Sequence, residues 1–440
     1  MYKTERVAGF RQFVAFRRDR LDYLAEAARR GLDVREVKLF TAKGHLYQIN
    51  HPQLIEDILI TNDWNFVKGK ALASSKVVLG EGLITSEGEL HRRQRRLVQP
   101  AFHSQRLVGY AESMTRCALD RRDSWRAGHV VDIHEEMMRL TLIIVGETLF
   151  SADLRGQSDE VGGALKRALA MFLRLNSPLA QFVGPFRRRA MRIAADARKD
   201  IVRVLHRIIE EHRAQPERYN DMLSMLMEAQ DPNSPQHMSD ELLLDESLTL
   251  FLAGHETVAN ALTWTMYLLS QNPDAEEKLV AELQSVLNGR TPALDDLPRL
   301  TYTTQCLKEA LRIYPPVWVI VRDTVTAYRV ADMDIPAHTL LLLSTFATHR
   351  DARWWPDPLR YNPDRFASDA PPRPRFAFYP FGAGTRHCIG ESFATTESVL
   401  LLATILQRWK LSFLPHQKVE LWPQITLRPK HPMRFRVEPR

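Results

Sequence analysis

The strongest helical pattern in this sequence runs from about Ser239 to Ser270, and no other segment constrains the fold as much. Apolar residues recur along it at helical spacing, acidic residues occupy its first turn, and Asn272-Pro273 ends it. Helical spacing also dominates residues 107–213, with a break near Gly184-Pro185. These patterns predict a protein built mainly from α-helices.

A smaller β portion accompanies the helices. Val34–Phe40 and Leu46–Ile49 alternate in polarity around a turn that contains Gly44, which predicts a β-hairpin. Further strand-like segments lie at Trp318–Val330 and on both sides of Pro429. Because the sequence has no repeat, low-complexity tract or long linker, we predict one domain over residues 1–440, mainly α with a small β portion (α+β).

Composition excludes several classes of protein. The 440 residues, 45% of them hydrophobic, are enough for a large buried core. Three cysteines lie far apart with no CxxC pair, which argues against a zinc site or a disulfide framework and fits a reducing compartment. The N-terminus lacks the apolar stretch of a signal peptide, and no segment approaches the ~20 apolar residues of a membrane-spanning helix. We therefore expect a soluble, cytoplasmic protein.

The net charge of +7 raises the question of nucleic-acid binding. The arginines are spread along the chain, however, and no nucleic-acid fold signature accompanies them. A solvated basic surface is the simpler interpretation. One use of such a surface is to dock an acidic electron carrier, because complementary charge raises encounter rates.

A loop near the C-terminus, residues 381–390, reads FGAGTRHCIG and delivers Cys388 to the start of a predicted helix. The helix N-terminus and the N–H groups of the loop would stabilise negative charge on sulfur, which suits a thiolate that binds a metal. Its three glycines let the backbone approach a flat ligand, and Arg386 adds a cation. An ordinary turn with an inert, buried cysteine fits the same residues, so they alone leave both interpretations open.

Two further patterns are ambiguous when taken alone. Residues 253–257, AGHET, place a glycine inside the strong helix, at a cost of about 1 kcal/mol relative to alanine, next to an acid and a hydroxyl that could relay protons. When these residues are taken alone, a small-residue helix–helix contact with two polar surface residues is favoured over a proton relay. Glu309 and Arg312 lie three positions apart on one helical face, but such pairs are common by chance.

The loop around Cys388 resembles the heme-binding loop of the cytochrome P-450 family, the heme-thiolate monooxygenases, and every residue of the family pattern is present. The resemblance implies the cytochrome P-450 fold, with the long helix crossing the distal face of heme b (iron protoporphyrin IX). It implies that Cys388 is the proximal iron ligand and that Phe381 shields its sulfur. Thiolate ligation favours O–O cleavage. Other residues of this region that would bind the cofactor are Pro380, Gly382, Ile389, Gly390 and Ala394.

The AGHET segment matches the family's signature on that long helix. The resemblance implies that Thr257 and Glu256 are catalytic and deliver protons during oxygen activation, while Ala253 and Gly254 border the oxygen pocket. Val258 follows where many relatives have a second threonine, a departure that leaves the proposed relay intact.

The same resemblance implies roles for two groups of charged residues. One is a buried network that fixes the cysteine loop in the family, which here corresponds to Glu309, Arg312 and Arg365. The other binds the heme propionates through bidentate and single charge-assisted hydrogen bonds. The residues that match the propionate-binding positions are His91, Arg95, Arg322 and Arg386.

The resemblance implies a monooxygenase that inserts one oxygen atom from O₂ into an apolar small molecule of the lipid, terpenoid or polyketide class. Nothing resembling a reductase domain follows the core, so a separate ferredoxin or flavodoxin with its reductase would supply electrons to a monomer. Substrate contacts are expected at residues 71–85, 251–254 and 317–320, with residues 165–185 as a mobile lid. Two alternatives stay open: a peroxygenase or isomerase of the same fold, and a non-catalytic heme-binding protein.

Overall fold

The computed structural model describes residues 2–38, 45–69, 75–156, 162–163, 184–231 and 234–440. The predicted turn at Gly44, positions 71–74 of the predicted substrate loop and positions 165–183 of the predicted lid lie outside these residues. The prediction of a mainly helical fold with a smaller β portion is confirmed.

The helices differ widely in length. In chain order they are α1 (Phe10–Arg18), α2 (Arg20–Arg29), α3 (Pro52–Glu56), α4 (Lys76–Leu79), α5 (Gly88–Val98), α6 (Ser104–Ser124), α7 (Ile133–Phe150), α8 (Gly184–Ala214), α9 (Met222–Glu228), α10 (Asp240–Ser270), α11 (Pro273–Leu287), α12 (Thr301–Ile313), α13 (Thr345–Thr348) and α14 (Glu391–Leu406).

The strands are short. In chain order they are β1 (Thr4–Ala8), β2 (Val34–Lys38), β3 (His45–Ile49), β4 (Phe66–Val67), β5 (Val130–Asp132), β6 (Gln230–Asp231), β7 (Ser234–His237), β8 (Ile320–Thr324), β9 (Tyr328–Val330), β10 (Met333–Ile335), β11 (Leu340–Leu343), β12 (Trp409–Phe413), β13 (Leu421–Pro423), β14 (Leu427–Pro429) and β15 (Arg434–Pro439).

The described residues form two compact units. The first lies within Met1–Ala71, Gln305–Cys388 and Leu421–Arg428, and the second within Leu72–Thr304, Ile389–Glu420 and Pro429–Arg440. That a single domain covers residues 1–440 stays a prediction.

A six-stranded sheet organises the first unit, in the order β1-β2-β3-β11-β8-β4. The predicted hairpin is present as antiparallel β2 and β3, whereas β1 pairs with β2 in parallel and was not predicted. Ile49, Leu341 and Leu343 lie in its buried core. Antiparallel pairing of β8 with β11 places Arg322 opposite Leu341 and so fixes one of the predicted propionate-binding arginines on a sheet.

The long helix α10 is the main element of the second unit, where it packs along α7, while α6 packs against α14. It begins as predicted, because the side chain of Ser239 caps it by accepting a hydrogen bond from the N–H of Leu242 at 3.3 Å. Pro273 then starts α11. This unit also contains a three-stranded sheet, in the order β12-β15-β5. Across the described residues, none of the helices combines the length and the apolar character of a membrane span.

Candidate active site

Two left-handed glycines shape the cysteine loop of the first unit. Gly382 and Gly384 both have a φ of +68°. A Cβ atom at Gly384 would lie 1.9 Å from the carbonyl oxygen of Leu59, so only glycine fits this close approach. The N–H of Cys388 donates to the carbonyl oxygen of Phe381 at 2.9 Å and closes the loop. The loop therefore holds Cys388 in a defined backbone position.

The three cysteines, all in the described part of the chain, differ in exposure. Cys117 and Cys306 are buried, whereas Cys388 is exposed. Burial, reinforced by the carboxylate of Glu147, raises the pKa of the Cys117 thiol to about 12, so this thiol is protonated at neutral pH. Exposure and loop position make Cys388 the cysteine suited to bind a metal ion.

A buried ion-pair network brings together the three residues predicted to support this loop. Arg312 donates from Nε and Nη2 to the two carboxylate oxygens of Glu309, at 2.7 and 2.8 Å, and neither side chain is exposed. Arg365 Nε lies 3.3 Å from Glu309 Oε1, and burial lowers the pKa of Arg365. The N–H of Asn362 also donates to Glu309 Oε1, at 3.0 Å. The carboxylate is therefore well satisfied despite its burial.

His349 connects this network to the cysteine loop, and sequence reasoning missed it. Arg312 Nη1 donates to the carbonyl oxygen of His349 at 2.8 Å. Burial, with the charge of Arg312 nearby, holds the pKa of His349 well below its usual range, so its neutral ring can accept at Nε2 the N–H of Tyr379, at 3.0 Å. The N–H of Gly382 in turn donates to the carbonyl oxygen of Tyr379 at 3.0 Å. No local motif marks His349, because its partners are distant in sequence.

Two of the predicted propionate-binding arginines belong to the first unit. Arg322 is buried on β8, and Arg386 lies in the short helical turn Gly384–Arg386 of the cysteine loop. A Cβ atom at Gly382 would lie 3.6 Å from Ile320 Cδ1, so the start of β8 packs beside the loop. The fold thus places both arginines on neighbouring elements. Pro380, in the same loop, is half-buried.

The second unit contains the other two residues predicted to bind propionates, and also the predicted cofactor-binding residues at the start of α14. His91 and Arg95 lie one turn apart on α5, where His91 is buried and Arg95 half-buried. Ile389, Gly390 and Ala394 are half-buried at the start of α14, where the N–H of Ala394 donates to the carbonyl oxygen of Gly390 at 2.8 Å.

The middle of α10 presents a partly exposed face on an otherwise buried segment. Ala253, Gly254 and Thr257 are half-buried, whereas residues 251–252, 255–256 and 258–266 are buried. The hydroxyl of Thr257 donates to the carbonyl oxygen of Ala253 at 2.7 Å. The lone pairs of the Thr257 hydroxyl oxygen can therefore accept a hydrogen bond from another group. Glu256 is buried and does not belong to a polar surface. The face offers a hydroxyl and small residues to a ligand.

Gly254 also has a packing explanation. A Cβ atom there would lie 2.9 Å from Val145 Cγ2, so the glycine lets α7 approach α10 closely. The helix–helix contact that the sequence left open is therefore present. A role of Gly254 beside oxygen stays a prediction.

Residues 251–254 and 317–320, predicted to contact substrate, are only partly accessible. Phe251 and Leu252 are buried. Trp318 is buried too, and its indole N–H donates to the carbonyl oxygen of Gln424 at 2.9 Å, whereas Val317 is exposed. Trp318 thus belongs to the core of the first unit. That its neighbours contact substrate stays a prediction.

These residues fit a heme group. In the first unit, an exposed thiol on a glycine-shaped loop suits the iron, and the guanidinium groups of Arg322 and Arg386 are of the kind that binds propionates. The partly exposed face of α10 provides small residues next to a hydroxyl acceptor. Fold and donor set together define the class of heme-thiolate oxidoreductases.

A family model described as Cytochrome P-450 matches residues 37–435, and the chain therefore belongs to the cytochrome P-450 family. It is a P-450 monooxygenase, an oxidoreductase that incorporates oxygen from O₂, and its family holds heme iron through a cysteine thiolate.

Three of the similar relatives come from Streptomyces species. Cyclooctatin synthase of Streptomyces melanosporofaciens is 37% identical over 432 residues, which cover 96% of this chain and 91% of the relative. Cyclooctat-9-en-7-ol 5-monooxygenase of the same organism is 35% identical, covering 90% and 86%. Pentalenene oxygenase of Streptomyces avermitilis is 34% identical, covering 91% and 89%. The crystal structure of the cytochrome P450DA heme domain superimposes with a TM-score of 0.84 at 26% identity, covering 93% of this chain and 90% of that one.

Proposed function

We propose that this protein hydroxylates or epoxidises an apolar terpenoid, using O₂, heme b and electrons from a separate ferredoxin or flavodoxin with its reductase. The observation that supports it most is the exposed Cys388 on a loop anchored to the buried Glu309–Arg312 pair. Relatives named for cyclooctat-9-en-7-ol and pentalenene support the terpenoid class. Three separated cysteines support a reducing, cytoplasmic location.

Cys388 would bind the iron as a thiolate, with Phe381 shielding the sulfur. When bound, heme supplies the oxygen-activating chemistry, and thiolate ligation favours O–O cleavage. The buried network and His349 would hold the loop in position, which would limit the reorganisation that the thiolate needs on binding. His91, Arg95, Arg322 and Arg386 would pair with the propionates and fix the orientation of the cofactor.

Thr257 and Glu256 would manage protons on the distal side. In the conformation observed, the Thr257 hydroxyl proton points to the carbonyl oxygen of Ala253, so its oxygen is set to accept a hydrogen bond. Glu256 precedes Thr257 in the sequence and is buried, and we assign it as the proton donor. The relay distinguishes a monooxygenase from a peroxygenase or isomerase, which do not need protons for O₂ activation.

Turnover of a panel of polycyclic terpenes under isotopically labelled O₂, with a surrogate ferredoxin system and NADPH, tests this function. We expect a product that contains one labelled oxygen atom. Activity with peroxide alone would indicate the peroxygenase alternative. A protein that binds heme but forms no product with any terpene would contradict the proposed reaction.

A further inference from the structure

Asp245 of α10 joins three separate elements of the second unit. Its Oδ1 accepts a hydrogen bond from Arg198 of α8 at 2.6 Å, and its Oδ2 accepts one from the backbone N–H of Glu81 at 2.8 Å. Asp245 is buried, and the Arg198 side chain is only 22% exposed. Charge-assisted hydrogen bonds of this kind are short and strong, so a single carboxylate holds both partners.

Glycines bring the loop of residues 80–86 directly onto α10. Gly80 has a φ of +64°, and a Cβ atom there would lie 2.0 Å from the Asp245 carboxylate. A Cβ atom at Gly82 would lie 2.2 Å from the Thr249 hydroxyl oxygen. A side chain at Gly80 would separate the loop from the Asp245 carboxylate, and one at Gly82 would also meet the helix backbone, because the carbonyl oxygen of Asp245 lies 2.6 Å from the added Cβ.

A second carboxylate of α10 holds the same loop. Glu246 Oε2 accepts the N–H of Leu83 at 3.0 Å, one residue after Asp245 accepts the N–H of Glu81. Within the loop, the Thr85 hydroxyl donates to the carbonyl oxygen of Gly80 at 2.6 Å. The loop is thus closed on itself and attached to α10 at two successive residues.

We propose that Asp245 is a positioning residue that latches the 80–86 loop and α8 onto α10, and that its separation from Arg198 admits substrate. The loop overlaps the segment predicted to contact substrate, and α10 also contains Thr257, so the inference rests on the proposed function. Because one carboxylate serves two elements, loss of either partner weakens the attachment of the other. The minor, open state then becomes more populated, and ligands enter faster.

Two variants test the latch by different means, each with a matched control. Arg198→Gln removes the ion pair, and Arg213→Gln removes the more exposed pair of Arg213 with Asp240, which also joins α8 to α10. Gly80→Ala pushes the loop off the carboxylate. Gly88→Ala imposes a side chain on a similar backbone, with φ of +57°, where nothing lies within 4 Å of the added Cβ.

Two readouts follow the latch in the holoenzyme. Hydrogen–deuterium exchange of the amides at Glu81 and Leu83 reports attachment of the loop. Stopped-flow absorbance reports the binding rate of 4-phenylimidazole, whose nitrogen binds heme iron. We expect both rates to rise about tenfold in Arg198→Gln and Gly80→Ala, and to stay within about twofold in the controls. Arg198→Lys keeps the positive charge, so both rates should stay close to those of the wild type.

Unchanged exchange and binding rates in both test variants would overturn the latch. Equal acceleration in the controls would overturn it as well, because general loosening would then explain the effect. A carbon monoxide spectrum of the same samples separates this failure from that of the proposed function. Without a thiolate band in the wild type the proposed function fails, while amide exchange still decides whether Asp245 holds the loop.

Discussion

The carbonyl oxygen of Leu59 lies so close to Gly384 that a Cβ atom at position 384 would be only 1.9 Å from it. No residue other than glycine fits there. Leu59 belongs to the π-helical turn Asp57–Thr61, and Gly384 belongs to the loop that ends at Cys388. The position of the thiol therefore depends on close contact between two backbones that are distant in sequence.

Gly384→Ala should release most of the bound heme, because it adds a steric clash to a left-handed residue. Gly31→Ala is the control, since Gly31 has a similar φ of +64° and its nearest neighbour lies 3.9 Å from the added Cβ. In the control, only backbone strain should lower the free energy of unfolding, by about 1–2 kcal/mol. The heme-to-protein ratio of the purified variants measures the difference. Equal ratios in the two variants would contradict the role of the Leu59 contact.

Glu309→Gln should lower the free energy of unfolding by about 3–5 kcal/mol, because it leaves the buried guanidinium of Arg312 without a counter-charge. Arg329→Gln is the matched control, because its pair with Asp334 is mostly exposed, and it should change the free energy by less than about 1 kcal/mol. Urea unfolding of both variants measures the effect. A change in Glu309→Gln as small as in the control would show that the network is not a source of stability.

Stability should fall as the pH drops below about 7, in part through His349. The folded protein keeps this histidine neutral, since burial holds its pKa well below the ordinary 6.5. Below pH 6.5 the unfolded chain therefore binds a proton that the folded chain does not, which favours unfolding by up to about 1.4 kcal/mol per pH unit. Above pH 7 this contribution is constant.

His349→Gln checks the pH prediction, because its side-chain oxygen can still accept the N–H of Tyr379. Urea unfolding between pH 5 and 8 should show a shallower dependence in the variant than in the wild type. Parallel curves would assign the acid sensitivity to other groups.

Thr257→Ala should uncouple electron use from product formation, with the yield of product per NADPH falling about tenfold or more. Thr257→Ser, which keeps a hydroxyl, should retain most of the coupling. Thr263→Ala is the control on the same helix, because Thr263 makes the same bond to the carbonyl oxygen four residues earlier, at 2.7 Å, but is buried. A loss of coupling in Thr263→Ala equal to that in Thr257→Ala would contradict a relay at Thr257.

Local signals in the sequence predicted local structure well. Ser239 and Asn272-Pro273 marked both ends of α10 because capping and proline chemistry act within a few residues. Arrangements that join distant segments had no such signal. The hydrogen bond from Tyr379 to His349 spans 30 residues, and nothing near Gly80 in sequence indicates that Asp245 lies against it. The sequence also left open whether Gly254 faces a ligand or another helix, since only the structure places Val145 next to it.

The central claim is that the thiolate of Cys388 joins this protein to heme iron. A difference spectrum of the reduced protein with carbon monoxide tests it, with Cys306→Ala as the control because Cys306 is buried in the same unit. We predict the red-shifted band of thiolate-ligated iron in the wild type and in Cys306→Ala, and its loss in Cys388→Ala. A Cys388→Ala variant that binds heme with an unaltered spectrum and oxidises substrate at the wild-type rate would contradict the claim.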